Sequence, residues 1–539
     1  MSGSITLENR FGVNKMELIS LKYAIFVIVL LVLYYCFPKK YRWYVLLAGS
    51  MAYYVIICKW YVLFIIFTIC TTYGSTIWID KLLKEQNAIV KSHKEDWDRQ
   101  TRKEYKEKGR KKRVAVMLFA LLCNFGILAF LKYIPYAGEL GLLLPLGISF
   151  YTFQSMGYVM DVYREIVEPE KNFFKVALFV SFFPQIIQGP IAIYDKLAGQ
   201  LYEGHSLRLE NLQKGALLVL WGVMKKLVIA DRAVNIINFV MDKPMDFSGT
   251  YVFFAAVVYA LQLYADFSGG IDIVRGIAEM FGITMSTNFN HPYFSRSLTE
   301  YWHRWHMTLG DWCRNYIFYP LSISKRFLNF GKWLKPRFGA HISKVLPGCI
   351  ASVITFIVIG VWHGANMKYL YFGFWNGIVI MLAELFAPVN KKVAGGFFKL
   401  TGLREKGIFA TIVSVLWTFM LILVGYYFDI AANASTAFHM LFKSVTDFHI
   451  SELGINNIIL NLGACGLDEY DILLLIICTL LWFFISFVEE NKKLDMRDFI
   501  LSRKLPLRWA IIYLGIFIVI IFGYYGPGVN PADFVYMQF

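Results

Sequence analysis

An all-α, polytopic membrane protein is the fold class this sequence predicts, and three observations predict it. Of its 539 residues, 57% are hydrophobic and only 17% charged, against about 25% charged in soluble proteins. The mean hydropathy is +0.51. Apolar runs close to the ~20 residues that cross a hydrocarbon core recur along the chain, and the basic residues gather between them. Lipid satisfies no backbone polar group, so runs of this kind are expected to be helices.

The runs fall at roughly 21–37, 43–58, 60–79, 114–133, 143–162, 173–194, 213–230 and 250–266, then at 345–361, 367–387, 408–430, 471–488 and 509–525. The first ends in CFPKKYRW with no small-residue cleavage site, which predicts a retained span. Lys39, Lys40 and Arg42 share a side with the basic stretch 81–113, because two runs parted only by Cys58, Lys59 and Trp60 lie between. Short basic stretches mark the cytoplasm. Residues 81–113 read as a solvated orientation signal, able to form a charged helix near anionic headgroups. The basic stretches 325–344, 391–406 and 492–508 fit the same side, and the acidic stretch 429–471 fits the outside. Parity then needs the opening stretch to cross or nearly cross, with the terminal FVYMQF outside. With no repeat and no linker, one membrane domain, 1–539, is expected.

The net charge of +16 lies between apolar runs rather than on one basic face, which excludes a nucleic-acid partner. The eight cysteines contain no CxxC pair, and Cys36, Cys58, Cys70, Cys123, Cys349 and Cys478, in or beside apolar runs, read as small core residues.

Four polar islands interrupt this pattern. In 291–321, five formal charges (Arg296, Glu300, Arg304, Asp311 and Arg314) accompany His303 and His306. Facing lipid, they would cost on the order of 12 to 17 kcal/mol. The stretch therefore either lines a protein chamber or lies as an amphipathic helix on the surface, which Trp302 and Trp305 also suit. Three residues apart on a helix, His303 and His306 share a face. They suit proton transfer near neutral pH, whereas a metal site needs further ligands at suitable spacing, and no metal is expected. The second island, Trp362-His363-Gly364-Ala365-Asn366, puts an ionisable group at membrane depth, which is a functional signal by default. The third holds Asp266, Asp272 and Arg275 and reads first as a buried ion pair. The fourth, 144–164, has Pro145 and Gly147 breaking a helix that Gln154, Ser155 and Asp161 enter. Broken helices at depth are buried in protein or line a cavity.

The series PLGISFYTFQ, FFPQIIQGPI, YADFSGGIDI, YWHRWHMTLGDWCRNYIFYPL and VWHGAN resembles the membrane-bound O-acyltransferase (MBOAT) family. Within it, the chain is similar to the bacterial branch of alginate O-acetyltransferase type that acylates exported polysaccharides. The resemblance is strongest over 145–376. One departure is Gly270-Ile271, where the family often has an aromatic and a small polar residue before the aspartate at 272. The family implies a helical bundle with re-entrant helices around a central tunnel. His363 matches its invariant histidine and His306 the less constant second one. The resemblance further implies a chamber lined by Trp302, His303, Trp305, Trp362, Asn366 and Asp266. The tail 534–539 resembles a C-terminal F-x-Y-x-x-F motif of such systems, in which Tyr536 would relay the acyl group; an interfacial aromatic anchor is the alternative.

On this resemblance the chain is an O-acyltransferase of the bacterial cytoplasmic membrane, with several spans and no permanently bound cofactor. It takes acetyl-CoA or a similar thioester as donor. The acceptor is an exported or cell-envelope polysaccharide, reached through an exported SGNH-esterase-like partner. His363 would be the base for a hydroxyl and His306 would orient or share the proton. A transporter or flippase for a lipid-linked or acidic solute is the competing reading and predicts inverted repeats. A processive glycosyltransferase lacks its nucleotide-sugar domain here.

Overall fold

The computed structural model describes residues 16–134, 138, 141–401, 404, 407–454, 457–458, 463–526 and 534. The opening residues 1–15, Tyr536 and the rest of the terminal motif apart from Phe534 lie outside them. Among the described residues the regular structure is helical, with no strand. Seven helical stretches are long and apolar enough to cross a membrane, or eight if the bent pair Met367–Leu385 and Ala387–Thr401 is one span. The chain is an all-α polytopic membrane protein. It divides into two compact units, Met1–Val219 with Ile271–Ser286, and Leu220–Gly270 with Thr287–Phe539.

In the first unit, Lys59 (φ 50°) separates helix Arg42–Cys58 from helix Val62–Ser92, where Lys59 and Trp60 divide two apolar runs. Helix Val62–Ser92 forms an antiparallel hairpin with Arg99–Tyr133: Gly109 lies over Gln86, and Asn124 Nδ2 donates to Thr71 Oγ1 at 3.0 Å. The basic stretch 81–113 is thus the helical end of a hairpin. Asp98 caps the second helix by accepting from Thr101 N–H at 2.9 Å, which satisfies one of the orphan donors of that terminus.

Two of the apolar runs do not form single helices of spanning length. Residues 143–162 and 173–194 become helix Ile148–Tyr163 and the short helices Phe173–Ser181 and Phe183–Gln188, buried on nearly every face. Phe182 and Pro184 divide the latter pair. Gly147 starts the former at φ 70°, and a Cβ there would sit 2.2 Å from the Ile186 carbonyl oxygen. Only glycine meets both conditions. Gln154 Nε2 donates to Phe179 O at 2.7 Å and its Oε1 accepts from Gln185. Hydropathy alone does not distinguish apolar surface covered by protein from apolar surface covered by lipid, hence the discrepancy.

In the second unit, the run at 213–230 ends in a π-helical stretch, Lys225–Ala230, whose Lys225 and Lys226 are buried. Lys226 Nζ lies 2.8 Å from Asp231 Oδ1 and 2.6 Å from Asp266 Oδ1, and Lys225 Nζ donates to Ser268 Oγ at 2.8 Å. Asp266 is thus a buried ion-pair residue, with Lys226 as its cation; Arg275 pairs instead with Asp272 at 3.5 Å in the first unit. The basic stretch 325–344 lies at the beginning of the helical segment Lys325–His363 and contains its break at Gly339 (φ 80°).

Candidate active site

His363 ends helix Lys325–His363, and Asn366 restarts the chain by accepting from Lys368 N–H at 3.1 Å as cap of helix Met367–Leu385. The two helices form a close antiparallel pair. A Cβ on Gly373 would sit 2.3 Å from Phe356 O, and one on Gly377 2.9 Å from Val353 Cα. That approach brings Asn376 to Trp302, whose Nε1 donates to Asn376 Oδ1 at 3.0 Å. Asn376 Nδ2 donates to Phe372 O at 2.8 Å, which fixes the orientation of the amide.

The stretch around His306 is broken. Helix Leu298–Arg304 stops, Trp305 is extended, His306 adopts the left-handed conformation (φ 43°, ψ 51°) and helix Met307–Cys313 follows. A non-glycine residue held there costs about 1–2 kcal/mol, and such strain concentrates at functional sites. Asn288 holds the turn: its Oδ1 accepts from Thr308 N–H at 3.1 Å and Thr308 Oγ1 at 2.9 Å, and lies 3.2 Å from His306 Nδ1. Because a backbone N–H only donates, the Asn288 atom facing it is the oxygen. His306 Nδ1 therefore carries the proton and the acceptor lone pair is on Nε2.

His306 and His363 line one narrow cavity, with room for about one water (about 20 Å³), together with Trp302, Trp305, Asn376 and Asp429. Both histidines are buried. The His306 ring meets Phe267 edge-on at 4.9 Å and Trp362 at 6.2 Å; the His363 ring stacks on Tyr369 at 6.0 Å. Asp429 Oδ2 accepts from Tyr259 Oη at 2.7 Å. Tyr301 and Tyr426, also on the wall, join hydroxyls at 2.7 Å; Tyr426 reaches Tyr293 at 3.2 Å, and Tyr293 donates to Ala260 O at 2.6 Å. The site combines two imidazoles and a carboxylate in aromatic surroundings, a set able to accept, hold and return a proton.

Of the residues expected in the chamber, His306, His363, Trp302 and Trp305 come together. Trp362 is buried beside both histidines. The others lie elsewhere. His303 is exposed on helix Leu298–Arg304, because the break at Trp305 and His306 removes the shared helical face. That divergence also removes the geometric premise of a two-histidine metal pair. Asn366 is an exposed helix cap whose Nδ2 donates to Ala432 O at 3.3 Å, and Asp266 is engaged with Lys226. Tyr536 lies outside the described residues. The stretch 291–321 contains both environments expected for it, since Trp305 and His306 are buried while Arg296 and His303 are exposed. Arg304 pairs with Glu300 at 2.7 Å and with Glu490, 186 residues away, at 3.0 Å, and Arg314 pairs with Asp311. Sequence reasoning missed Asn288, Asn376, Tyr426 and Asp429. Asn376 and Asp429 did carry a signal, each a polar side chain within an apolar run.

Residues 169–335 match the family model described as MBOAT, membrane-bound O-acyltransferase family. Over that stretch the chain is similar to the MBOAT family. That match contains His306 and Asn288, while His363, Asn376 and Asp429 lie beyond it. The chain is 30% identical to a protein of Pseudomonas syringae pv. tomato named probable alginate O-acetylase AlgI, over 58% of this chain and 54% of the relative. It is 29% identical to a Helicobacter pylori protein named peptidoglycan O-acetyltransferase, over 51% of this chain and 56% of the relative. A Bacillus subtilis protein named teichoic acid D-alanyltransferase is 26% identical over 52% of this chain and 67% of its own length. The chain thus spans little more than half the length of the first two.

Proposed function

We infer that the chain is a membrane O-acyltransferase. It moves an acyl group, acetyl by preference, from a cytoplasmic thioester such as acetyl-CoA across the membrane, for O-acylation of an exported or cell-envelope polysaccharide. The observation that carries this reading is the shared cavity of His306 and His363, two histidines far apart in sequence. The names of the relatives, an alginate O-acetylase, a peptidoglycan O-acetyltransferase and a teichoic acid D-alanyltransferase, support the substrate class.

In the reaction, His363 takes the proton of the attacking hydroxyl while its oxygen bonds to the thioester carbonyl carbon. The tetrahedral oxyanion collapses, the C–S bond breaks, and the imidazolium returns the proton to the leaving thiolate. His306, with its acceptor lone pair on Nε2, orients the hydroxyl or shares the proton. No bound cofactor is needed. The acceptor hydroxyl is that of Tyr536, acting as a relay, or of a carrier serving an exported SGNH-esterase-like partner that completes transfer to the glycan. The bacterial cytoplasmic membrane, where thioester and exported glycan are both within reach, is the fitting location.

The experiment supplies thioester carrying a labelled acetyl group to everted membrane vesicles that contain the chain. Acyl transfer predicts label in ester linkage, lost in His363→Ala. Solute flux that survives His363→Ala, with no ester formed, supports a transporter or flippase instead. Undiminished transfer by Tyr536→Phe would remove the tyrosine relay and leave the anchor role.

A further inference from the structure

In the first unit, the charged ends of helices Val62–Ser92 and Arg99–Tyr133 enclose a cleft of about 650 Å³, with Glu165 on its rim, within the range of small-molecule sites. Its cations come from one stripe of the second helix: Arg99, Arg102, Lys103, Lys106, Arg110 and Arg113. With Arg102 and Lys103 adjacent and the other spacings three or four residues, they lie on a single helical face about 21 Å long. Only two carboxylates, Glu107 and Glu165, line the cleft with them.

A solvated orientation signal requires only positive charge near the membrane; it does not require that charge to converge. Like charges three or four residues apart on a helix weaken it by a few tenths of a kcal/mol per pair, and enclosing them in a concavity adds desolvation. Arg113 sharpens the point. It is 8% exposed, its Nη1 lies 3.2 Å from Glu165 Oε1, and its Nε is buried with no hydrogen-bond acceptor. Arg102, which donates through Nη2 to Lys94 O, has a buried Nε in the same condition. Buried guanidinium N–H groups are almost always satisfied, and anionic oxygens satisfy them best.

The geometry points to a binding site for a phosphate-bearing anion in this cleft. The length of the stripe suits more than one phosphate group. Two sources have this chemistry, the headgroup of an anionic phospholipid and a soluble diphosphate of nucleotide type. The assignment is independent of the acyl-transfer reading, because it rests on residues of the first unit and is tested by binding rather than activity.

The test uses the purified full-length chain. Inorganic pyrophosphate is titrated in detergent at low and raised salt. Separately, the protein is placed in phosphatidylcholine nanodiscs with and without phosphatidylglycerol, and bound lipid is measured. The variant Lys103→Gln/Lys106→Gln/Arg110→Gln removes three exposed cations of the cleft. A control, Lys335→Gln/Lys391→Gln/Lys392→Gln, removes the same charge from exposed positions in the second unit. Arg113→Gln tests the buried group and is compared by thermal stability with and without pyrophosphate. The expected result is salt-sensitive binding, weakened by about 10-fold or more in the cleft variant and unchanged in the control, the fold-change of at least one lost charged contact. Loss confined to pyrophosphate assigns the soluble source; loss confined to phosphatidylglycerol retention assigns the lipid. An equal loss in the control, or a wild-type chain that binds neither probe, overturns the site.

Discussion

His306 Nδ1 lies 3.2 Å from Asn288 Oδ1, and this contact decides which imidazole nitrogen carries the proton. Asn288 Oδ1 already accepts from the Thr308 backbone N–H and hydroxyl. It can only accept from His306 as well, so the basic lone pair is on Nε2. Asn288→Leu should therefore reduce acyl transfer by about 10²-fold, the scale of a positioned acid–base group. It should also destabilise the chain by about 2–4 kcal/mol through donors left without an acceptor. Asn288→Asp, which keeps the acceptor, should recover most of both. Transfer rates and apparent Tm of the two variants check this; equal loss in both would contradict the tautomer argument.

The backbone of His306 makes a separate prediction. At φ 43° a β-branched residue is strained, whereas asparagine tolerates this region. His306→Val should be less stable than His306→Asn by about 1–2 kcal/mol, although both lose the imidazole. Thermal unfolding of the two variants in the same detergent measures the difference.

Gly373 sets the approach that brings Asn376 to Trp302. A methyl group there meets Phe356 O at 2.3 Å, so Gly373→Ala must separate the helices. The expected cost is about 1–3 kcal/mol, with a fall in transfer as the Trp302–Asn376 hydrogen bond lengthens. Gly395→Ala, where nothing lies within 4 Å, should change neither.

Buried Lys226 pairs with both Asp231 and Asp266, at 2.8 and 2.6 Å. Removing one member of a buried charge cluster leaves the others uncompensated, so Lys226→Met should destabilise by about 3–5 kcal/mol. Adding Asp231→Asn and Asp266→Asn should recover much of that. Apparent Tm across the series separates an ion-pair role from simple loss of volume, for which the triple variant would be no better than the single one.

Composition and run length were enough to read the membrane class, since an apolar stretch in lipid has few options besides a helix. They did not distinguish 143–162 and 173–194, whose apolar surface is covered by protein and whose helices break at Gly147 and Phe182. His306, His363 and the two tryptophans of the wall were legible as polar or aromatic groups in the wrong medium. The assumption of an unbroken helix misplaced His303, because nothing local marks His306 as left-handed. Asn288 was invisible, being one asparagine in a loop until Thr308 and His306 are folded against it. Asp429 was countable as a charge in an apolar run, but its partner Tyr259 is 170 residues away.

The central claim is that His363 takes the proton in an acyl transfer ending on a polysaccharide. Its most direct test is the ester-linked acyl content of envelope and secreted polysaccharide from cells making equal amounts of intact or His363→Ala protein. The account predicts that the ester disappears while the variant still inserts and accumulates normally; retained acylation in that variant would contradict it.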